Sequence, residues 1–192
     1  MHTKNSGRTK VLSLSWSKIY ASEYFGIFSF ALLTAIAAQI TIPIKPVPFT
    51  LQTMTVVLAG AILGSKKGFY SQLLYLAAGA IGLPVFAVLP ESGYGMARFF
   101  GATGGFLLAF PFAAYVVGKL VEKYKSYFFV VTAMFLGELL IIFSGTVFLN
   151  TFFIHDLSET IKVAAAVFSV WTVVKVFAAA AVYFGLTKSK GK

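Results

Sequence analysis

The sequence contains no cysteine, which excludes disulfides, thiolate metal sites and cysteine nucleophiles. Histidine is almost as scarce. His2 and His155 stand alone, and neither falls in a zinc-binding spacing such as H-E-x-x-H. Charged residues make up 11% of the 192, too few to cover the outside of a soluble core of this size. Acids number six against sixteen lysines and arginines, for a net charge of +10. That excess does not point to nucleic acid, because the basic residues fall in short clusters between apolar runs, the pattern of cytoplasmic loops. No nucleotide loop is present either. The stretch GAILGSKK at 60–67 comes nearest to G-x-x-x-x-G-K-[ST], but its spacing is one residue short and no strand precedes it. No serine–histidine or paired-carboxylate arrangement is available for catalysis. Neither an enzyme nor a metal or cofactor site is expected.

What remains is apolar sequence, 58% of the chain. A membrane span takes about 20 apolar residues, fewer where neighbours bury it. Runs at 24–42, 49–64, 68–83, 101–120, 127–150 and 163–187 predict an all-α, single-domain integral membrane bundle of six transmembrane helices over 1–192. The first run holds an Ala35-Ile36-Ala37 pattern that a signal peptidase accepts. Its polar lead is long and the apolar run continues past it, so it is expected to stay as a first span. With both termini cytoplasmic, twelve lysines and arginines fall inside and only Lys45, Arg98 and Lys162 outside. Residues 1–20 then form a polar cytoplasmic segment, and 84–100 an external loop closing over a small molecule. Three prolines in IPIKPVPFTLQT (42–53) predict a stiff external connector.

A few polar residues are too costly in lipid to be accidental. Lys175 lies thirteen residues before Lys188, roughly 20 Å up the last helix. A lysine at that depth costs about 3 kcal/mol, which favours a cavity-facing position over lipid, with snorkelling as the plain alternative. Glu138 is the same distance from Lys125 and reaches the same height, so it is a candidate charge partner for Lys175; a protonated, hydrogen-bonded carboxyl is the alternative. Arg98 is framed by Tyr94 and Phe99 and followed by GATGG. Glycines admit a ligand close to backbone, helix N-terminal amides favour anions, and arginine offers a carboxylate two parallel bonds. These features mark an external anion site. Gln52, beside Thr50, Thr53 and Thr55, carries both donors and acceptors, whereas the threonines are explained by capping. Phe86, Tyr94, Phe99 and Trp171 either wall a pocket or form an interfacial belt. Small residues recur at four-residue spacing in Ala31 and Ala35, Gly60 and Gly64, and Gly101 and Gly105, the faces along which helices approach closely.

Four elements occur in one order between about Ala31 and Leu120: P-V-P-x-T-x-Q-T, L-A-G-x-x-L-G, G-L-P-V-F-A and T-G-G. In this the chain resembles the BioY family, the biotin-specific substrate-binding (S) components of energy-coupling factor (ECF) transporters. The resemblance implies a six-helix bundle in the plasma membrane with an outward-facing biotin pocket under external loops. It also implies docking to a transmembrane T component and cytoplasmic ATPases, with Ala31 and Ala35 at the matching docking positions. Candidate ligand contacts are Gln52, Phe86, Tyr94, Arg98, Thr103, Gly104, Thr172 and Lys175. Gln52 and Thr103 suit the ureido group, and Arg98 or Lys175 the carboxylate tail. Two positions depart from the family pattern. Thr172 stands where a Pro-Gly-Asp-x-x-Lys element carries its acid, and G-A-T-G-G-F replaces G-P-T-G-G-Y. Either Glu138 supplies the missing charge or the ligand differs somewhat. A self-sufficient secondary carrier for biotin or a related carboxylate is the competing function.

Overall fold

A computed structural model describes residues 23–88, 93–167 and 170–189. Helix α1 (Glu23–Gln39) is apolar all round, as a lipid-immersed helix must be. Its inward face carries Ala31, Thr34 and Ala38, while Phe28, Leu32 and Ile36 point outward. The proline-rich connector folds back as a short antiparallel hairpin, with β1 (Thr41–Ile42) pairing β2 (Phe49–Thr50) in the register Thr41 to Thr50 and Ile42 to Phe49.

Helices α2 (Gln52–Leu63) and α3 (Ser65–Ala80) follow, separated by Gly64 alone. That single residue reverses the chain by adopting φ +84°, a left-handed value where a side chain would be strained. The N-terminus of α3 is capped from a distance, because Glu122 Oε1 accepts from the Ser65 amide at 2.7 Å and from its hydroxyl at 3.0 Å. At 12 residues α2 is only about 18 Å long, and Val56, Val57 and Ala59 along it are fully buried by neighbours.

A 3-10 turn (Gly95–Phe100) leads into α4 (Gly104–Lys123), which holds Pro111 in its interior. Helix α5 (Tyr127–Leu149) lies along it. Gly145 accepts the Phe106 ring, Gly105 lies against Phe148, and Ser144 Oγ donates to the Gly105 carbonyl at 2.9 Å. A wide π turn (Asn150–Ile154) extends α5 to left-handed His155. Asp156 then caps α6 (Leu157–Val167), its carboxylate accepting from the amides of Ser158 at 2.8 Å and Glu159 at 3.2 Å. Helix α7 (Val170–Ser189) closes the bundle.

The stretches Gly104–Lys123, Tyr127–Ile154 and Val170–Lys188 are long and apolar enough to cross a membrane, and Tyr24–Gln39 and Gln52–Leu63 are shorter apolar helices. Two expectations are revised. The second and third helices meet at Gly64, so Lys66 and Lys67 sit within the first turn of α3 and not in a loop. The apolar run at 163–187 is described as parts of two helices, α6 and α7. The connector at 42–53 folds as the hairpin up to Thr50, and its last residues, Gln52 and Thr53, open α2. The polar segment at 1–20, and 89–92 within the external loop, lie outside the described residues.

Candidate functional site

Five elements converge on a small cavity of about 50 Å³: the hairpin, the start of α2, the 84–100 loop, α4 and α7. Gln52, Arg98, Thr103 and Lys175 all line it, with Thr50 and Thr53 beside Gln52. Val47, Pro48, Phe49 and Ala87, together with Phe106, Leu107 and Phe110 from one face of α4, supply the apolar wall.

The charges are arranged asymmetrically. Lys175 is buried, donates from Nζ to Thr53 Oγ1 at 2.5 Å, and lies 3.7 Å from Glu138 Oε1. Glu138 is itself 1% exposed, so the two form an interior ion pair. Arg98 is 5% exposed and donates from Nη2 to the Ala87 carbonyl at 2.5 Å. Its guanidinium carbon lies 6.0 Å from the centre of the Phe86 ring. Its Nε has no hydrogen-bond partner among the described residues. The ion pairs found among those residues, Lys162 with Glu159 and Lys175 with Glu138, do not involve it. Burial lowers the Arg98 pKa, yet an arginine starts so high that it stays charged.

A second cavity of about 100 Å³ lies on the other side of Arg98, lined by Gln39, Leu83, Pro84, Phe86, Val88 and Tyr94 among others. Ala87 and Arg98 belong to both, so the Arg98 bond to Ala87 forms the partition between them.

The remaining sequence candidates stand elsewhere. Phe86 is buried behind the partition, edge-on to Tyr75 and Phe99. Tyr94 is 86% exposed at the second cavity. Gly104 is buried with its Cα packed on the Phe99 carbonyl, and Thr172 is fully buried outside the cavity lining. Ala31 is buried in the core with Ala35 packed at its edge, because α1 turns its small residues toward α3 to allow close approach; Ala31 is therefore not on a free surface. Sequence reasoning passed over Thr53 as a capping residue, and over Phe106 and Phe110. The i, i+4 spacing of those two phenylalanines just after the T-G-G element was the available signal.

Comparison with known proteins follows the same lines. A family model described as the BioY family matches residues 8–192. "Biotin transporter BioY" of Thermotoga maritima is 37% identical over 159 residues, covering 83% of this chain and 92% of that one. "Biotin transporter BioY2" of Lactococcus lactis is 37% identical over 152 residues, covering 76% and 79%. "Probable biotin transporter BioY" of Pyrococcus horikoshii is 48% identical over 98 residues, covering 51% and 59%. The crystal structure of the S-component for biotin from an ECF-type ABC transporter superposes with a TM-score of 0.77 over 97% of this chain and 95% of that one. At 24% identity, that likeness speaks for the fold.

Proposed function

Because the chain belongs to the BioY family, we propose that it is the biotin-capturing S component of an ECF-type vitamin uptake transporter. It is a multi-pass protein of the cell membrane that takes biotin at the outer face. A transmembrane T component and cytoplasmic ATPases drive delivery, in keeping with a chain that carries no nucleotide loop of its own. Helices α1 to α5 and α7 are the six spans, α6 lies at the outer interface, and both termini are cytoplasmic. The twelve-to-three distribution of basic residues supports this orientation.

One observation carries the ligand assignment. The cavity wall holds two cations, and among the described residues only one of them, Lys175, has a carboxylate beside it. Arg98 is buried with an unpartnered Nε and a main-chain carbonyl as its acceptor. A single ligand carboxylate supplies the missing negative charge and can accept from two guanidinium nitrogens together. Glu138 provides the acid that Thr172 does not. Gln52 and Thr103 meet the ureido group, and Phe106, Leu107 and Phe110 the apolar rings. A cavity of about 50 Å³ holds a few waters at most, so biotin enters as Arg98 exchanges the Ala87 carbonyl for the ligand carboxylate, joining the two spaces. T-component docking belongs to α1, with Ala35 at the rim of its exposed face and Ala31 committed to the core.

Calorimetry of the purified protein with biotin tests this reading. Saturable one-site binding is expected, and no heat with biotin alongside saturation by another vitamin would overturn it. Uptake in membranes without any ATPase separates the receptor from the secondary carrier, since only the carrier continues to transport.

A further inference from the structure

Gln52 is held by a hydroxyl that does not itself reach the cavity. Tyr75 on α3 is 1% exposed and absent from the cavity lining. Its Oη donates to the Val85 carbonyl at 3.2 Å and accepts from Gln52 Nε2 at 2.5 Å. The direction of these bonds is forced. A main-chain carbonyl can only accept, and a phenol has one proton. With that proton committed to Val85, the group facing Tyr75 must be the Gln52 NH2, and Oε1 must turn the other way. There it accepts from the Thr50 hydroxyl at 3.0 Å. Side-chain amides are nearly symmetric in shape, and hydrogen bonding alone decides which end is which. Rings keep the phenol in place, with Phe86 edge-on at 5.5 Å and Phe110 stacked at 6.3 Å.

We propose that Tyr75 is a positioning residue that selects ligands by their donor and acceptor pattern, through the Gln52 amide it locks. After its bonds to Tyr75 and Thr50, Gln52 keeps one N–H and one oxygen lone pair, in fixed places. A ureido group offers a carbonyl to the first and an N–H to the second. A flipped amide would present the reverse pattern. The same hydroxyl anchors Val85, two residues before the Ala87 carbonyl that holds Arg98, so one phenol orders both polar sides of the cavity. The choice of ligand rests on the biotin reading, whereas the amide lock does not.

Tyr75→Phe keeps the ring and removes the hydroxyl. Calorimetry should show biotin affinity falling about 10-fold. Binding of 2-iminobiotin, whose guanidinium only donates, should change little, so discrimination between the two narrows. On a Gln52→Ala background the same change should cost no further affinity. An equal loss on both backgrounds would mean that Tyr75 acts through general packing, and would overturn the proposal. A ligand-free measurement decides the lock itself. In 15N-glutamine-labelled protein the Gln52 side-chain amide pair should be widely split and slow to exchange, and should collapse toward the free-amide positions in Tyr75→Phe. An unchanged pair rejects the lock even if the wild-type protein binds no biotin, a result that by itself would remove only the ligand reading. Should Tyr75→Phe fail to fold, Thr50→Val removes the donor at the other end of the chain of bonds and is read in the same two ways.

Discussion

Helix α2 begins at the cavity with Gln52 and Thr53 and ends at Gly64, and its two ends are packed in opposite ways. Around the first end lie the buried polar groups of Gln52, Arg98, Glu138 and Lys175. Around the second, Val57, Leu58 and Ala61 meet Val117, Val121, Val130 and Met134 in an apolar cluster, bordered by an open cavity of about 520 Å³. Gly118 lies against the Ser65 backbone there, and Glu122 closes the turn by accepting from Ser65. Apolar contact and that cap hold this end together. Among the described residues, the buried side-chain polar atoms without a hydrogen bond, Arg98 Nε and Glu138 Oε1, both belong to the cavity end, the second within its ion pair to Lys175. Buried polar atoms short of hydrogen bonds destabilise a fold, so their placement at this end is better explained by a guest than by stability.

The contrast breaks if substitutions at the two ends behave alike. The largest effect is expected for Arg98→Ala, which should weaken biotin by about 4 kcal/mol, several hundred-fold, while biotin methyl ester loses far less. Lys175→Ala, whose ammonium is already paired with Glu138, should weaken acid and ester alike and more mildly; equal losses for acid and ester in Arg98→Ala would remove the carboxylate role from Arg98. Next comes Glu138→Gln, which leaves Lys175 uncompensated. Thermal unfolding should show a loss of about 3 kcal/mol, and biotin should raise the Tm of this variant more than that of the wild type. A wild-type melting curve would show that the pair contributes nothing.

Substitutions at the Gly64 end sharpen the contrast from the other side. Gly118→Val drives a side chain into the Ser65 backbone, which cannot yield. A loss of about 2 kcal/mol, or roughly 6 °C in Tm, is expected with biotin affinity within twofold of wild type. A large affinity change would mean that the two ends are coupled through α2. Smallest is Glu122→Ala, which deletes the cap on α3 for about 1 kcal/mol and should leave the calorimetric titration unchanged.

The long helices were legible because hydropathy sets them apart. The runs at 101–120 and 127–150 differ from α4 and α5 by a few residues at most. Hydropathy failed where two apolar helices follow one another. The run at 163–187 hid the end of α6, although Asp156, which caps that helix, was a readable start signal. It failed again at Gly64, where the lysine pair read as a loop and one left-handed glycine makes the turn. At the site, counting along the helices set Glu138 and Lys175 at one height, and they stand 3.7 Å apart. Counting does not fix rotation about a helix axis. Thr172, one turn from Lys175, is therefore outside the cavity lining, while Thr53 sits against the Lys175 ammonium. Nothing in the spacing revealed that Tyr75 and Gln52 meet, because that contact depends on the reversal at Gly64.

Pro111 in α4 has a consequence of its own. Proline has no amide hydrogen, so the helix cannot close its usual bond to the carbonyl four residues back, that of Leu107, a residue of the cavity wall. The carbonyl of a wall residue is thereby left without its helical donor. It belongs to the main chain and survives any exchange of the leucine, so alanine scanning of the wall would pass over it. The proline, far along the helix from its nearest charged residue, Lys119, is the position through which sequence changes can reach it.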